Sequence, residues 1–314
     1  MPRTPIDITI PDLSGKRAVI TGGSDGIGLR IAARLAAAGA ELILPVRNTA
    51  KGEAAVQKIR QEFPSAQITL QRLDLSSLES VAHLGETLRR EGDPIHLLIN
   101  NAGVMTPPER QVTVDGFESQ FGTNHLGHFA LVSALLPLLQ AGRARVTSQI
   151  SMAANGNAIN WGDLAWERSY NGMRAYSQSK IALGLFGLEL DRRSRALGWG
   201  ISSNLSHPGI APTSLLAART ELGRDADTVS VRLIRWMSAR GVFLGTPDSA
   251  ALPAVFAAVS PRSKAGLLYG PSGPGHLGGA PAEQKLYSRL ESEEQASRIW
   301  QISEELTKTT YSFA

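Results

Sequence analysis

The sequence predicts an α/β protein with one doubly wound parallel sheet, and three observations predict it. Short apolar runs rich in Val, Ile and Leu alternate with helical patterns over the first two-thirds of the chain. Strands covered by helices on both faces read this way, because neither face meets water. A glycine-rich string lies between the first such run and the first helical pattern, where doubly wound folds place a ligand. Neither a repeat nor a linker interrupts the 314 residues, a length sufficient for one large core. The expectation is a single domain over residues 1–314, with a regular core over about 14–210 and a variable region over about 210–314.

Taken in order, residues 17–21 read as the first strand and 26–38 as the first helix, with Gly39 as its C-terminal stop. Residues 41–46 form the second strand. Pro45 has no amide hydrogen and must lie at the strand end or at a bulge. A helix over 51–63 ends at Pro64, and strand 67–73, helix 78–90 and strand 96–100 follow. A long helical stretch covers 115–139, then come strand 145–150, helix 176–197 and strand 200–206. Past Pro208 the regularity fades. Residues 210–240 read as a helical segment, 260–282 as a long irregular loop rich in Gly, Pro and Ser, and 283–308 as a closing helix.

Composition narrows the function. The formal charge of +4 is spread along the chain, which argues against nucleic acid as a partner. The densest basic cluster, Arg192, Arg193 and Arg195, is expected on an exposed helix face. The chain has no cysteine, which excludes disulfides and thiolate chemistry and suits a reducing cytoplasm. Residues 1–11 carry Pro2, Pro5 and Asp7 and no apolar core of signal-peptide length. No run approaches the roughly 20 apolar residues that span a bilayer; the best, residues 129–139, is short and contains Pro137. A cytoplasmic protein without a membrane span is expected. His125 and His128 lie three apart on a helix, but nothing completes a metal motif around them. No metal is expected, and both are read as packing residues. His207 is read as structural or cofactor-adjacent.

The glycine string is Thr21-Gly22-Gly23-Ser24-Asp25-Gly26-Ile27-Gly28. A pyrophosphate needs close backbone approach and the positive end of a helix, and residues without a Cβ permit both. The second motif is Tyr176-Ser177-Gln178-Ser179-Lys180. Four-residue spacing puts Tyr176 and Lys180 on one helix face. Tyrosine is a poor base at neutral pH, with an ordinary pKa of about 10, and a nearby ammonium lowers that value. A bare Tyr-x-x-x-Lys is an ordinary helix surface. This one lies about 150 residues beyond the glycine loop, after the fifth strand.

The Gly-x-x-x-Gly-x-Gly spacing, with Tyr176 and Lys180 downstream, resembles the short-chain dehydrogenase/reductase family in its classical branch, over residues 14 to about 213. The resemblance implies a Rossmann-type fold with a C-terminal substrate lid, over about 210–240, and a tail helix. It places Gly22, Ser24, Asp25, Gly26, Ile27 and Gly28 at the cofactor phosphates. Asp74 and Leu75 match an adenine-contacting pair, and Asn100-Asn101-Ala102-Gly103 matches the motif that lines the cofactor cleft. NAD-specific members usually carry an acidic residue after the second strand; this chain has Val46, Arg47 and Asn48. An arginine pairs with a 2′-phosphate, so NADP(H) is expected over NAD(H), with Arg47 as main reader and Asn48 as helper. The plainer reading of Arg47 is a surface arginine.

The same resemblance assigns proton transfer to Tyr176. It has Lys180 lower the tyrosine pKa and hold the nicotinamide ribose, Ser151 polarise the substrate oxygen, and Asn124 hold a proton-relay water. Ser148 competes with Ser151, and alignment of the strand favours Ser151; Ile150 stands where the family usually has a first Ser. Pro208 and Gly209 match the Pro-Gly after the sixth strand. Ile210 is expected to place a backbone amide by the carboxamide, and Thr213 to bond the carboxamide or pyrophosphate, although Pro212 before it departs from the pattern. Trp161-Gly162-Asp163-Leu164 and Tyr269-Gly270-Pro271 are similar to retinol-dehydrogenase-like members and their bacterial relatives, without carrying over retinoid specificity. Trp161, Trp166, Trp236 and Met237 read as core or pocket lining. The expected protein is an NADP(H)-dependent oxidoreductase interconverting a carbonyl and an alcohol on a hydrophobic small molecule. The family implies a homodimer or homotetramer. Two alternatives stand: C=C reduction on the same fold, and a non-catalytic NADP(H)-binding sensor or scaffold. The signature of the sensor is a damaged Tyr-Lys-Ser set, and here the set is intact.

Overall fold

The computed structural model describes residues 6–212 and 244–311. Eight strands form one sheet in the order β3-β2-β1-β4-β5-β6-β7-β8. They are β1 Arg17–Ile20, β2 Glu41–Val46, β3 Ile68–Arg72, β4 Leu97–Asn100, β5 Arg145–Gln149, β6 Ser202–Ser206, β7 Leu268–Pro271 and β8 Pro281–Gln284. The pairings from β3 through β7 are parallel, and β8 closes the edge antiparallel to β7. The chain steps from β1 to β2 in one direction and to β4 in the other. The strand order therefore reverses beside β1, and a crevice opens there at the carboxyl ends of the strands.

The helices are α1 Gly26–Ala37, α2 Thr49–Glu62, α3 Leu78–Glu91, the single turn α4 Ser119–Phe121, α5 Gly127–Ala141, α6 Gly172–Leu197, α7 Pro247–Val259 and α8 Glu293–Thr307. Strand alternation distributes the core to both faces. Ala18 and Ile20 of β1 point to the layer of α1, α2 and α7, whereas Val19 points to that of α3, α5 and α6. Local chemistry sets the helix ends. Asn48, Ser77 and Asn171 cap α2, α3 and α6 by accepting backbone amides, which satisfies donors the helix leaves free. Thr246 and Ser249 form a reciprocal capping box on α7, with Pro247 at its first position. Pro45 pairs with Gln71 of β3 but lies beyond the last β1 partner of β2, so its missing amide hydrogen costs no bond on that side.

Several expectations need correction. The stretch 115–139 does not begin as a helix: Val112 bridges Glu118 around a turn with Gly116 at φ +87°. The helix starts at Ser119 and passes through a π turn, Gly122–Leu126, before α5. The expected loop over 260–282 contains β7 and the start of β8, so the sheet continues well past residue 210. The closing helix is only Glu293–Thr307, because 281–284 is strand. Helix α7 had no expectation at all. It is buried from Ala250 to Val259 against α1 and the sheet, so it lacks the polar face that makes a helix periodic. The arginine cluster is also not a plain exposed face. Arg192 and Arg193 clamp buried Glu189, Arg195 pairs with buried Asp191, and Arg193 lies 4.4 Å over the ring of Trp300 on α8. The expected lid, with Thr213, Trp236 and Met237, lies outside the described residues apart from its root at 210–212. Among the described residues no helix is long and apolar enough to cross a membrane, and no cluster of His, Asp and Glu could hold a metal ion.

Candidate active site

The crevice beside β1 is a cavity of about 820 Å³, within the range that takes a small molecule or cofactor. One wall is the glycine loop. Asp25 caps α1 by accepting the Gly26 amide at 2.7 Å, and Gly22 and Gly26 have φ of +67° and +52°, values that L side chains resist. A Cβ on Gly28 would lie 2.1 Å from the Gly22 carbonyl oxygen, so the loop folds directly onto the first turn of α1. The Asn101 side chain donates to the Thr21 carbonyl at 2.9 Å, and the Asn101 and Ala102 amides donate to the Thr21 hydroxyl at 2.9 and 3.0 Å. The end of β4 thereby holds the root of the loop.

Every expected cofactor residue among the described ones lines this cavity: the glycine loop, Arg47, Asn48, Asp74, Leu75, Asn101, Ala102, Gly103, Tyr176, Lys180, Pro208, Gly209 and Ile210. Besides Asp25 and Asn101, two more toward the Arg47 end have side chains already engaged. The Asn48 oxygen caps α2 at the Lys51 amide, 2.9 Å away, and one Asp74 oxygen holds the amide and hydroxyl of Ser76. Arg47 is exposed at the rim and pairs with no described acid. Lys51, one turn further on, also lines the cavity. The sequence reading missed it, although its place four residues after Arg47 was the available signal.

At the other end, α6 brings Tyr176 and Lys180 into the cavity one turn apart, both buried. The Lys180 Nζ lies 6.0 Å from the centre of the tyrosine ring and donates to the Gln149 carbonyl at 2.9 Å. Ser151 leaves β5 as the cap of a 3₁₀ turn, its hydroxyl accepting the Ala153 amide at 3.2 Å, and lines the cavity together with Tyr176. Burial pushes the Tyr176 phenol up to about 12 against the opposing hydrogen bond from Ser151. Burial also brings the Lys180 ammonium down to about 8. In the protein alone, then, desolvation outweighs the expected lowering of the tyrosine by the lysine. Ser148 is buried in the sheet beside Asn100 and does not line the cavity, whereas Ser151 does.

Two expected roles meet side chains or amides that are already bonded. Asn124 sits behind the cavity wall: its side chain exchanges bonds with the Val104 backbone at 2.8 and 2.9 Å and donates to Ser179 at 2.9 Å. The Ile210 amide, expected by the carboxamide, instead donates to the Leu277 carbonyl at 2.9 Å. That carbonyl crowds Gly209 as well, where a Cβ would come within 2.4 Å of it. His207 accepts the Gly209 amide at 3.2 Å, is buried and does not line the cavity. Trp166 is buried, and Trp161 packs under Arg298 at 4.1 Å. Apolar residues in the lining include Val104, Met105, Ile150, Met152 and Met173. These methionines come from three separate loops or helix ends, so no local pattern announced them.

A doubly wound sheet with a phosphate-sized glycine cradle, and with Tyr, Lys and Ser side chains converging in the same cleft, defines a nucleotide-binding oxidoreductase. The family model described as short chain dehydrogenase matches residues 16–222, and the chain belongs to that family. It is 37% identical to human (Homo sapiens) retinol dehydrogenase 13 over 96% of this chain and 86% of the relative. It is 34% identical to human polyprenol dehydrogenase over 82% of this chain and 76% of the relative. Among solved structures, an uncharacterized protein from Mycobacterium paratuberculosis superposes with a TM-score of 0.77, at 34% identity and 97% coverage of both chains.

Proposed function

We propose that the protein is an NADP(H)-dependent oxidoreductase that interconverts a carbonyl and an alcohol on a hydrophobic small molecule. The observation that carries this reading is the meeting of Tyr176, Ser151 and Lys180 at one end of a cavity whose other end holds the glycine loop and two exposed cations. The cavity fits the cofactor chemically. The first turn of α1, past the Asp25-capped Gly26 amide, has the backbone amides and positive helix end that suit a pyrophosphate, and Arg47 and Lys51 suit a 2′-phosphate. Lys180, which lines the cavity, would hold a ribose hydroxyl. When bound, NADP(H) supplies or accepts the hydride.

The chain's own residues handle the proton. At neutral pH burial keeps the Tyr176 phenol protonated, the form that donates to a carbonyl oxygen. Ser151 adds a second hydrogen bond to that oxygen and so stabilises the charge that develops on it. Lys180, largely charged below about pH 8, favours the phenolate left after donation. The apolar, methionine-rich wall suits a flexible hydrocarbon substrate, since Met adapts its shape at little cost. The relatives named for retinol and polyprenol support that substrate class. The reading is tested by NADPH consumption with retinaldehyde and with aliphatic aldehydes of rising chain length. In Tyr176→Phe, turnover should fall about 10²–10⁴-fold, the usual worth of a positioned general acid, while NADPH binding changes little. Undiminished turnover in that variant would overturn the proposal.

A further inference from the structure

We propose that His128 is a positioning residue, a neutral imidazole of one fixed tautomer that braces the root of the glycine loop against the turn carrying Asn124. The argument is a complete accounting of hydrogen bonds and rests on the cofactor-pocket reading above. The Thr21 hydroxyl oxygen accepts from the Ala102 amide at 3.0 Å and from the Asn101 amide at 2.9 Å, the latter shared with the Ile99 carbonyl at 3.0 Å. Both lone pairs are then used, so the hydroxyl must give its own hydrogen away. Its nearer acceptor is His128 Nε2 at 2.9 Å; the Ile99 carbonyl is at 3.3 Å. On the opposite side of the ring, His128 Nδ1 lies 2.9 Å from the Asn124 carbonyl. A carbonyl only accepts, so Nδ1 carries the hydrogen and Nε2 offers the lone pair. One tautomer satisfies every group. The imidazolium would aim a second N–H at a hydroxyl with no lone pair left.

The brace is buried and does not line the cavity. It nevertheless joins the two ends of the site. Thr21 and Asn101 hold the glycine loop, and Asn124 holds both the loop after β4 at Val104 and Ser179, the neighbour of Lys180. Full burial, with Lys180 nearby, holds the imidazole pKa down at about 4, in keeping with a ring that stays neutral.

Two substitutions separate the ends. His128→Asn keeps a donor near the Nδ1 position and gives up the bond from Thr21. It should weaken NADPH binding about tenfold, the size of one buried hydrogen bond left unmade, with turnover at saturating NADPH nearly intact. His128→Gln keeps an acceptor near the Nε2 position and gives up the bond to Asn124. It should lower turnover by a similar factor with NADPH binding nearly intact. Two variants that shift binding and turnover by the same factor, or that shift neither, overturn the proposal. Nitrogen-15 NMR of the wild-type ring supplies an arm that needs no variant to fold. A protonated Nδ1 and a bare Nε2, unchanged from pH 5.5 to 8, are expected; the other tautomer, or titration in that range, refutes the brace. Failure of the oxidoreductase reading shows separately, as wild-type protein that does not bind NADPH.

Discussion

Lys180 stands where stability and activity oppose each other, and Lys180→Met separates them. Burial lowers the Lys180 pKa from its ordinary 10.5 to about 8. At roughly 1.36 kcal/mol per pH unit, holding that ammonium in the folded state costs about 3 kcal/mol at pH 7. Methionine has similar length and no charge. It forfeits the hydrogen bond to the Gln149 carbonyl, worth about 1 kcal/mol. The variant should therefore be about 2 kcal/mol more stable than wild type at pH 7, while losing most of its turnover. The sign of the pH dependence follows from proton counts. Between pH 8 and 10.5 the unfolded lysine binds more protons than the folded one, so wild-type stability rises with pH relative to the variant. By about pH 10 the penalty falls to about 1 kcal/mol and the lost hydrogen bond cancels it. Up to pH 10 burial keeps the Tyr176 phenol protonated in both folded proteins, so it drops out of the difference. The assay is urea unfolding of both proteins without cofactor at pH 7 and pH 10. A variant no more stable than wild type at pH 7, or an equal difference at both pH values, refutes the reasoning.

Other expectations follow from the same geometry. Arg47→Ala and Lys51→Ala should each raise the NADPH Kd about tenfold, as expected for one charge-assisted contact, and leave NADH unchanged; fluorescence titration with both nucleotides checks this, and equal losses for both would remove the 2′-phosphate from the account. Gly28→Ala should abolish cofactor binding, because its methyl would meet the Gly22 carbonyl oxygen at 2.1 Å and the Asn101 side chain at 2.5 Å. Calorimetric titration showing normal affinity would mean that the loop is not the phosphate cradle. Ser151→Ala should cut kcat about 10²–10³-fold, the usual effect of one oxyanion donor, with NADPH binding preserved; steady-state kinetics with a fixed aldehyde reads both.

Strands β1, β2 and β4 were legible in the sequence because each is a short, largely apolar run whose neighbours in the sheet change nothing about its pattern. The glycine loop, the β4 end and the Tyr176–Lys180 pair were legible because their residues are close in the chain. Helix α7 was not, since burial on all sides erases helical periodicity. Strand β7 was not either: four residues between Leu267 and Ser272 become a strand only by pairing with β6 and β8. The Ile210 amide looked free until the Leu277 carbonyl, far along the chain, was placed against it.

By itself, then, the sequence determined the doubly wound class, the position of the glycine cradle and the placing of Tyr176 and Lys180 on one helix face. These depend on local periodicity and on spacing within single elements. Only the tertiary structure decided which serine meets Tyr176, that Lys51 joins Arg47 at the rim, that methionines from three segments form one wall, and that His128 ties Thr21 to Asn124. The physical reason is the same in each case. Burial, pKa and the last free lone pair of a hydroxyl depend on neighbours that the fold brings together from distant positions in the chain.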